Sequence, residues 1–353
     1  MKTFYRIMIL PLLFMTACAN THIPKAKVTI RSITPNGEPI VNEPVRIGFS
    51  SWGGVWGKTD QNGYFTAEGR PTSDYLFVIG RLKVDEKSPK YYATYFRKDI
   101  ADWKNYPTDG KWKPWNETIE VVVKEKLNPI PMYASGNNFK TKIPIINEWV
   151  GYDFEYNDWV KPHGNGLVAD IEIYLSEEKP TEVDEIEELK IRFPYPLAGA
   201  YVMKKDLNCD FKSVYHADQK ATYQQEITWY KVYKMVDEIN PHAWTKEERY
   251  FKVSRMINSN LLSKDDYLIF RTRTKVDENG NLIEARYGKV YGPIEFRLDP
   301  KDKVSFYRQY VNIMYYYLNP TVNDTNLEYD SKRNLLFDKV KPRERASYFR
   351  LRP

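Results

Sequence analysis

From residue 26 onward, apolar and polar positions alternate in short runs separated by turn chemistry. Residues 27–33 (KVTIRSI) put Val28, Ile30 and Ser32 on one side and Thr29, Arg31 and Ile33 on the other, a strand with one apolar-leaning face. A turn at residues 35–39 follows, with Gly37 free to take positive φ, and residues 44–49 alternate again. Asp60-Gln61-Asn62-Gly63 then writes a hairpin turn. The aspartate can accept hydrogen bonds from backbone NH groups two residues on, and Asn and Gly both tolerate positive φ. Residues 64–66 return as a strand, with further runs at 75–84 and 91–96. An aromatic, proline-bearing loop occupies 103–115, and residues 118–124 close the unit. Such a series, about seven short strands in roughly 100 residues, predicts a small β-sandwich.

A second β-rich region follows the proline-bearing linker at 128–131. Its cleanest signal is 167–175 (LVADIEIYL), where Leu167, Ala169, Ile171, Ile173 and Leu175 alternate with Val168, Asp170, Glu172 and Tyr174. Strands are also expected at 150–159, 189–193, 200–204, 223–233, 292–298 and 304–318. The acidic stretch 182–188 reads as an exposed connection. Residues 267–275 and 282–290 form the arms of a hairpin whose turn, 277–281, again uses Asn-Gly. One helix is predicted over 245–262, from a Thr245/Glu248 capping box and from Val253, Met256, Ile257 and Leu261 on one face. The chain is therefore expected to be mainly β, a seven-stranded sandwich at 26–126 followed by a larger, sandwich-like domain at 127–318 with one short helix. Residues 319–353 read as a polar, basic tail.

The segment before the strands has a different character. Lys2 and Arg6 form a charged start, an apolar run spans 7–15, and Thr16-Ala17 precede Cys18. That order is a secretory signal, and its apolar run is far short of the ~20 residues a spanning helix needs. Met15-Thr16-Ala17-Cys18 resembles the end of a bacterial lipoprotein signal. The resemblance implies removal of residues 1–17, a lipid on the Cys18 thiol, and a tether over 18–25 that holds the protein to a membrane. An ordinary secretory signal with an incidental cysteine is the alternative. In Gram-negative lipoproteins an aspartate after the cysteine retains the protein at the inner membrane. Ala19 in that place implies an outer-membrane destination if the source has two membranes.

A second resemblance rests on Glu43-Pro44-Val45-Arg46-Ile47 leading into Lys58-Thr59-Asp60-Gln61-Asn62-Gly63-Tyr64-Phe65. This stretch resembles the transthyretin-like, carboxypeptidase regulatory-like sandwich of secreted bacterial proteins. Members of that family serve as accessory, stabilising or binding modules, which implies a non-catalytic role for 26–126.

Composition narrows the function classes. The net charge of +6 is spread along the chain without an arginine-rich arm, which argues against a nucleic-acid partner. The 28 tyrosines, with many Val, Ile and Thr, favour strands. If Cys18 carries lipid, Cys209 stands alone, and with only Lys212 as a basic neighbour it reads as buried and inert. No two of His22, His163, His216 and His242 have metal-ligand spacing, and no cofactor motif is present. Asp60-x-Asn62-Gly63 and Asp277-x-Asn279-Gly280 mimic the opening of a calcium loop but lack its closing glutamate, so both read as hairpin turns.

The candidate contact residues are aromatic: Trp52 and Trp56 in one loop, Trp103, Tyr106, Trp112 and Trp115 in another. Exposed rings can stack on sugars or fill a partner's pockets. The competing expectation is that they cover the open ends of the sandwich under lysine stems. The function expected is that of an anchored envelope lipoprotein with a binding or structural role toward a protein partner. Its alternatives are a glycan binder using the tryptophan loops and a hydrolase with a site near Asp158 and His163.

Overall fold

In a computed structural model the described residues are 24–49, 54–70, 76–82, 90–92, 94–101, 109–136, 141–178, 184–204, 215–239, 250–259, 266–298 and 309–339. Cys18, Trp52, Trp103, Tyr106 and Cys209 lie outside them. The chain forms two compact units, Met1–Ser88 with Ala93–Val123, and Pro89–Tyr92 with Lys124–Pro353.

Unit 1 contains β1 (Ala26–Ile33), β2 (Pro44–Phe49), β3 (Val55–Lys58), β4 (Tyr64–Gly69), β5 (Leu76–Leu82), β6 (Thr94–Ala101) and β7 (Glu117–Val122). They make a three-stranded sheet, β4-β1-β7, and a four-stranded sheet, β3-β2-β5-β6. β1 runs antiparallel to β4 and parallel to β7. The inward face read in β1 is observed, with Val28, Ile30 and Ser32 fully buried, while Thr29 and Ile33 on the other face are buried as well. They share the core of this unit with Val45, Ile47 and Val121.

The turn at 60–63 carries the chain from β3 in one sheet to β4 in the other. Asp60 Oδ1 accepts from the amides of Asn62 and Tyr64, both at 2.8 Å. Gly63 sits at φ +79°, where a Cβ would lie 2.5 Å from the Ser32 carbonyl oxygen. Gly63→Ala is therefore expected to destabilise unit 1 by about 1–3 kcal/mol. Denaturant unfolding checks this, and an unchanged midpoint would contradict it.

Unit 2 contains β8 (Ile130–Ser135), β9 (Thr141–Lys142), β10 (Val150–Asp153), β11 (Asp158–Trp159), β12 (Ile171–Glu178), β13 (Asp184–Arg192) and β14 (Gly199–Lys204). It continues with β15 (Glu226–Ile239), β16 (Tyr250–Ser259), β17 (Asp266–Val276), β18 (Leu282–Leu298), β19 (Gln309–Leu318) and β20 (Tyr329–Asn334). One sheet has the order β11-β10-β12-β13-β15-β16. The other runs β14-β17-β18-β19-β8-β20, with β9 also on β19. The two sheets share one core, to which Ile173, Leu175 and Leu189 contribute from the first and Ile269, Tyr287 and Tyr317 from the second. Phe270 of β17 meets Phe154 at 5.2 Å and Phe193 at 6.1 Å between ring centroids. Gly288 on β18 makes room for that ring, because a Cβ there would come within 2.1 Å of it.

The mainly-β class holds, with corrections inside it. The helix predicted over 245–262 is absent at 250–259, which form β16 and pair antiparallel with β15. The capping-box residues 245 and 248 lie outside the described residues. A local cap signal loses here to a long sheet partner, β15, that pairs with one side of the strand's backbone along its length. The stretch read as an exposed connection joins β13 from Asp184 onward, with Glu187 buried beside Lys231. Part of the stretch read as a tail supplies β20 and the buried side chains of Leu327, Tyr329 and Leu336. The strand at 167–175 begins only at Ile171. Leu167 is 55% exposed while Asp170 is fully buried. The alternation breaks because Asp170 turns inward to an arginine.

Candidate functional site

Arg273 organises one end of unit 2. It lies on β17 at a register shift in the pairing with β18 and has φ +50°, left-handed for a non-glycine residue. Its Nε and Nη2 each donate to Asp170 at 2.8 Å, and Nη2 also donates to Asp153 at 3.1 Å. Nη1 lies 2.9 Å from Glu155, which also pairs with Arg286. Asp153 and Asp170 are both buried. Burial pushes the Asp170 carboxyl up to about 6, against the downward pull of Arg273 and of the Phe154 amide. For Arg273 burial opposes the charge, but the bonds to Asp170 and the fields of Glu155 and Asp153 outweigh it and hold the guanidinium above its ordinary pKa.

This ionic knot fixes the surrounding loops. Asp153 Oδ2 accepts from the amides of Leu167 and Val168 at 2.9 and 3.0 Å, and Oδ1 from those of Glu155 and Tyr156. Thr272 Oγ1 donates to the Asp170 carbonyl. Next to Arg273 in the chain, Arg271 and Thr274 donate to the carbonyls of Leu197 and Pro196. Beyond β19, Asn323 accepts from the Ala285 amide and donates to the Ile283 carbonyl, both on β18. Asn157, Leu197 and Asn323 share the positive φ of Arg273. Left-handed backbone at several non-glycine residues persists only where surrounding bonds over-determine it.

These loops and the start of β18 expose large apolar side chains. Tyr156, Leu167, Val168, Leu197, Ile283 and Val322 are all exposed, between 37% and 55%. Five of the six are aliphatic. Isolated exposed apolar residues are ordinary, but Tyr156, Leu167 and Val168 have their amides on the buried Asp153 carboxylate, which makes that loop a preformed contact surface. Such a surface can dock against apolar groups of a partner with little ordering cost. It offers few flat rings for a sugar.

The aromatic residues singled out by sequence fare differently. Trp112 is 1% exposed, and its amide donates to the Lys25 carbonyl at 2.8 Å, stitching the loop to the start of β1. It is a core residue, and its buried indole does not offer a face to a ligand. Trp115 is half-buried with Lys111 Nζ 5.1 Å from its ring centroid, the lysine-covered packing that was the competing expectation. Trp56 on β3 remains exposed at 52%, with the Arg46 guanidinium 5.5 Å over its ring.

The pair proposed for hydrolysis is not assembled. His163 is exposed on its turn, and the Asp158 carboxylate accepts from the Trp159 and Asn165 amides and from the Asn165 side chain. Among the described residues no hydrogen bond joins His163 to Asp158, and no group of His, Cys, Asp and Glu has metal-binding geometry. Both Asx turns spend their carboxylates on backbone: Asp277 Oδ1 accepts from the Asn279 and Asn281 amides as Asp60 does from Asn62 and Tyr64.

Sequence reading also missed a ring pair on the six-stranded sheet. Trp149 and Tyr174 lie 5.4 Å apart, and Arg192 covers Trp149 at 4.2 Å while donating twice to Glu172. A ring already capped by a salt-bridged guanidinium contributes to the sheet's surface layer rather than to ligand contact.

No family model matches the chain, and no curated protein matches it. Two solved structures share loose similarity. One is a DUF3823 family protein from Bacteroides ovatus, with 11% identity and a TM-score of 0.19, covering 82% of this chain and 95% of that one. The other is a streptococcal ancillary pilin, with 10% identity and a TM-score of 0.20, covering 67% of this chain and 59% of that one. At these scores neither likeness says what this chain does; its own topology makes it a mainly-β, multi-sheet protein.

Proposed function

We propose that this chain is a lipid-anchored cell-envelope protein that binds a partner protein and performs no reaction of its own. The observation that carries the reading is the loop end of unit 2, where Asp153, paired with Arg273, also accepts from the amides of exposed Leu167 and Val168. The Met15-Thr16-Ala17-Cys18 signal supports the anchor, with Ala19 favouring an outer membrane in a two-membrane source. Seven strands in sheets of three and four, linked by the Asp60 turn, support a transthyretin-like identity for unit 1 and with it an accessory role.

Two experiments test it. A photo-crosslinker placed at residue 168 in intact envelopes should give a discrete protein adduct, whereas one at exposed Glu120 of β7 should not. A uniform smear from both positions would remove the surface. Fractionation of Cys18→Ser should move the protein from the membrane pellet to the soluble fraction, because stable anchoring takes roughly two acyl chains. A variant that stays in the pellet contradicts the anchor.

A second reading rests on Trp56, whose ring is exposed in unit 1. Glycan binding that vanishes in Trp56→Ala, with the unit 2 surface variants unaffected, would favour a carbohydrate ligand instead.

A further inference from the structure

Unit 1 gathers lysines at the end where β1 begins. Lys25 is held by the loop that leads into β7. Its amide donates to the Gly110 carbonyl at 2.9 Å, and its carbonyl accepts from the Trp112 amide at 2.8 Å. Farther along the same loop, the Asn116 amide donates to the Lys27 carbonyl at 2.9 Å, and the Asn116 side chain accepts from the Thr29 hydroxyl at 2.8 Å. With the Trp112 indole buried, these bonds fix Lys111 and Lys113 on the loop relative to Lys25 and Lys27 on β1. Lys25, Lys111 and Lys113 are exposed and Lys27 is half-buried.

Among the described residues, carboxylates at this end are fewer than cations. Glu68 pairs with Lys25 at 2.8 Å and Asp109 with Lys113 at 3.0 Å. The bond from Lys25, with the fields of Lys25, Lys27 and Lys111, holds the Glu68 carboxyl below its ordinary pKa. Arg70 and Glu117, at the neighbouring strand ends, add one charge of each sign. Both ion pairs join exposed side chains, so they are weak in water and exchange readily for another anion.

The place where these lysines cluster is also where a tether from Cys18 would arrive. Pro24 is buried just before Lys25 and stands six residues beyond Cys18, so the chain between them spans at most about 20–22 Å. From there β1 runs eight residues, roughly 25 Å, to the end that carries the Asp60 turn, where the Ser32 amide donates to the Gly63 carbonyl. We propose that the lysine end of unit 1 is the face laid on the membrane, with Lys25, Lys27, Lys111 and Lys113 meeting the phosphates of anionic phospholipids around the anchor. This rests on the lipid anchor at Cys18 proposed above. Charge attraction is screened beyond about 8 Å in physiological salt. A short tether keeps the lysines beside the headgroups at high effective concentration, so that weak single attractions add.

Lysine acetylation footprinting of the lipidated full chain tests the face. The protein is reconstituted in vesicles of phosphatidylethanolamine with phosphatidylglycerol, and in vesicles of phosphatidylcholine alone. On the anionic vesicles at low salt, Lys25, Lys27, Lys111 and Lys113 should react at least about fivefold more slowly than on the neutral ones, and about 0.5 M NaCl should abolish the difference. Exposed Lys58, beside the Asp60 turn, should react equally on both. In Lys111→Glu with Lys113→Glu, Lys25 and Lys27 should lose their protection while the protein still floats with the vesicles. Flotation of the wild type with all four lysines equally reactive on both vesicles would overturn the face and leave the anchor standing. Slowing of Lys58 to the same degree would also overturn it. A wild type that does not float would remove anchor and face together.

Discussion

Arg273→Met will destabilise unit 2 by about 3–5 kcal/mol, the cost of leaving buried charge without its partner. Two fully desolvated carboxylates, Asp153 and Asp170, face this one guanidinium. Removing it strands both, and the loop amides that rest on Asp153 lose their anchor's own support. Neutralising the carboxylates as well, in Arg273→Met with Asp153→Asn and Asp170→Asn, should recover part of the loss, since replacing a whole buried ion cluster costs less than breaking it. Urea unfolding of the single and triple variants measures both terms. A single variant within 1 kcal/mol of wild type, on the same order as a surface change, would mean that the knot contributes little.

Trp112→Ala should cost unit 1 about 3–5 kcal/mol, the range for deleting a buried large aromatic. The indole is 1% exposed beside the start of β1, where the loop strand is tied by backbone bonds at Lys25 and Trp112. Trp56→Ala should change stability by less than about 0.5 kcal/mol, as exposed positions do. Thermal melts of the two variants separate a structural tryptophan from an exposed one. Equal losses would contradict the assignment of Trp112 to the core and Trp56 to the surface.

Much of unit 1 was legible in the residues because its signals are local. The apolar face of β1 and the Asp60-x-Asn62-Gly63 turn each act within a few positions, and the strand and the bonds of the turn follow them. The β17–β18 hairpin was readable for the same reason, with Asp277 capping its turn. β16 was misread because a capping signal and a helical apolar face are also local, while the β15 partner that decides the matter is set by long-range pairing. The knot had no sequence signal at all. Arg273 lies 120 and 103 positions from Asp153 and Asp170, and its left-handed φ depends on a register shift that no pattern of residue types announces. Asp170 even looked like the polar half of an alternating strand. The aromatic loops were chosen on residue type, and type alone does not separate a buried Trp112 from an exposed Trp56.

Co-purification from detergent-solubilised envelopes shows whether the loop end binds a partner. The double variant Leu167→Ser and Leu197→Ser removes two exposed aliphatic tips and keeps the bonds at those residues, because Asp153 takes the Leu167 amide and Arg271 donates to the Leu197 carbonyl. This variant is expected to melt within about 2 °C of wild type, as surface substitutions do, and to lose the protein that crosslinks from residue 168. A variant that keeps the same partner at wild-type yield would contradict it.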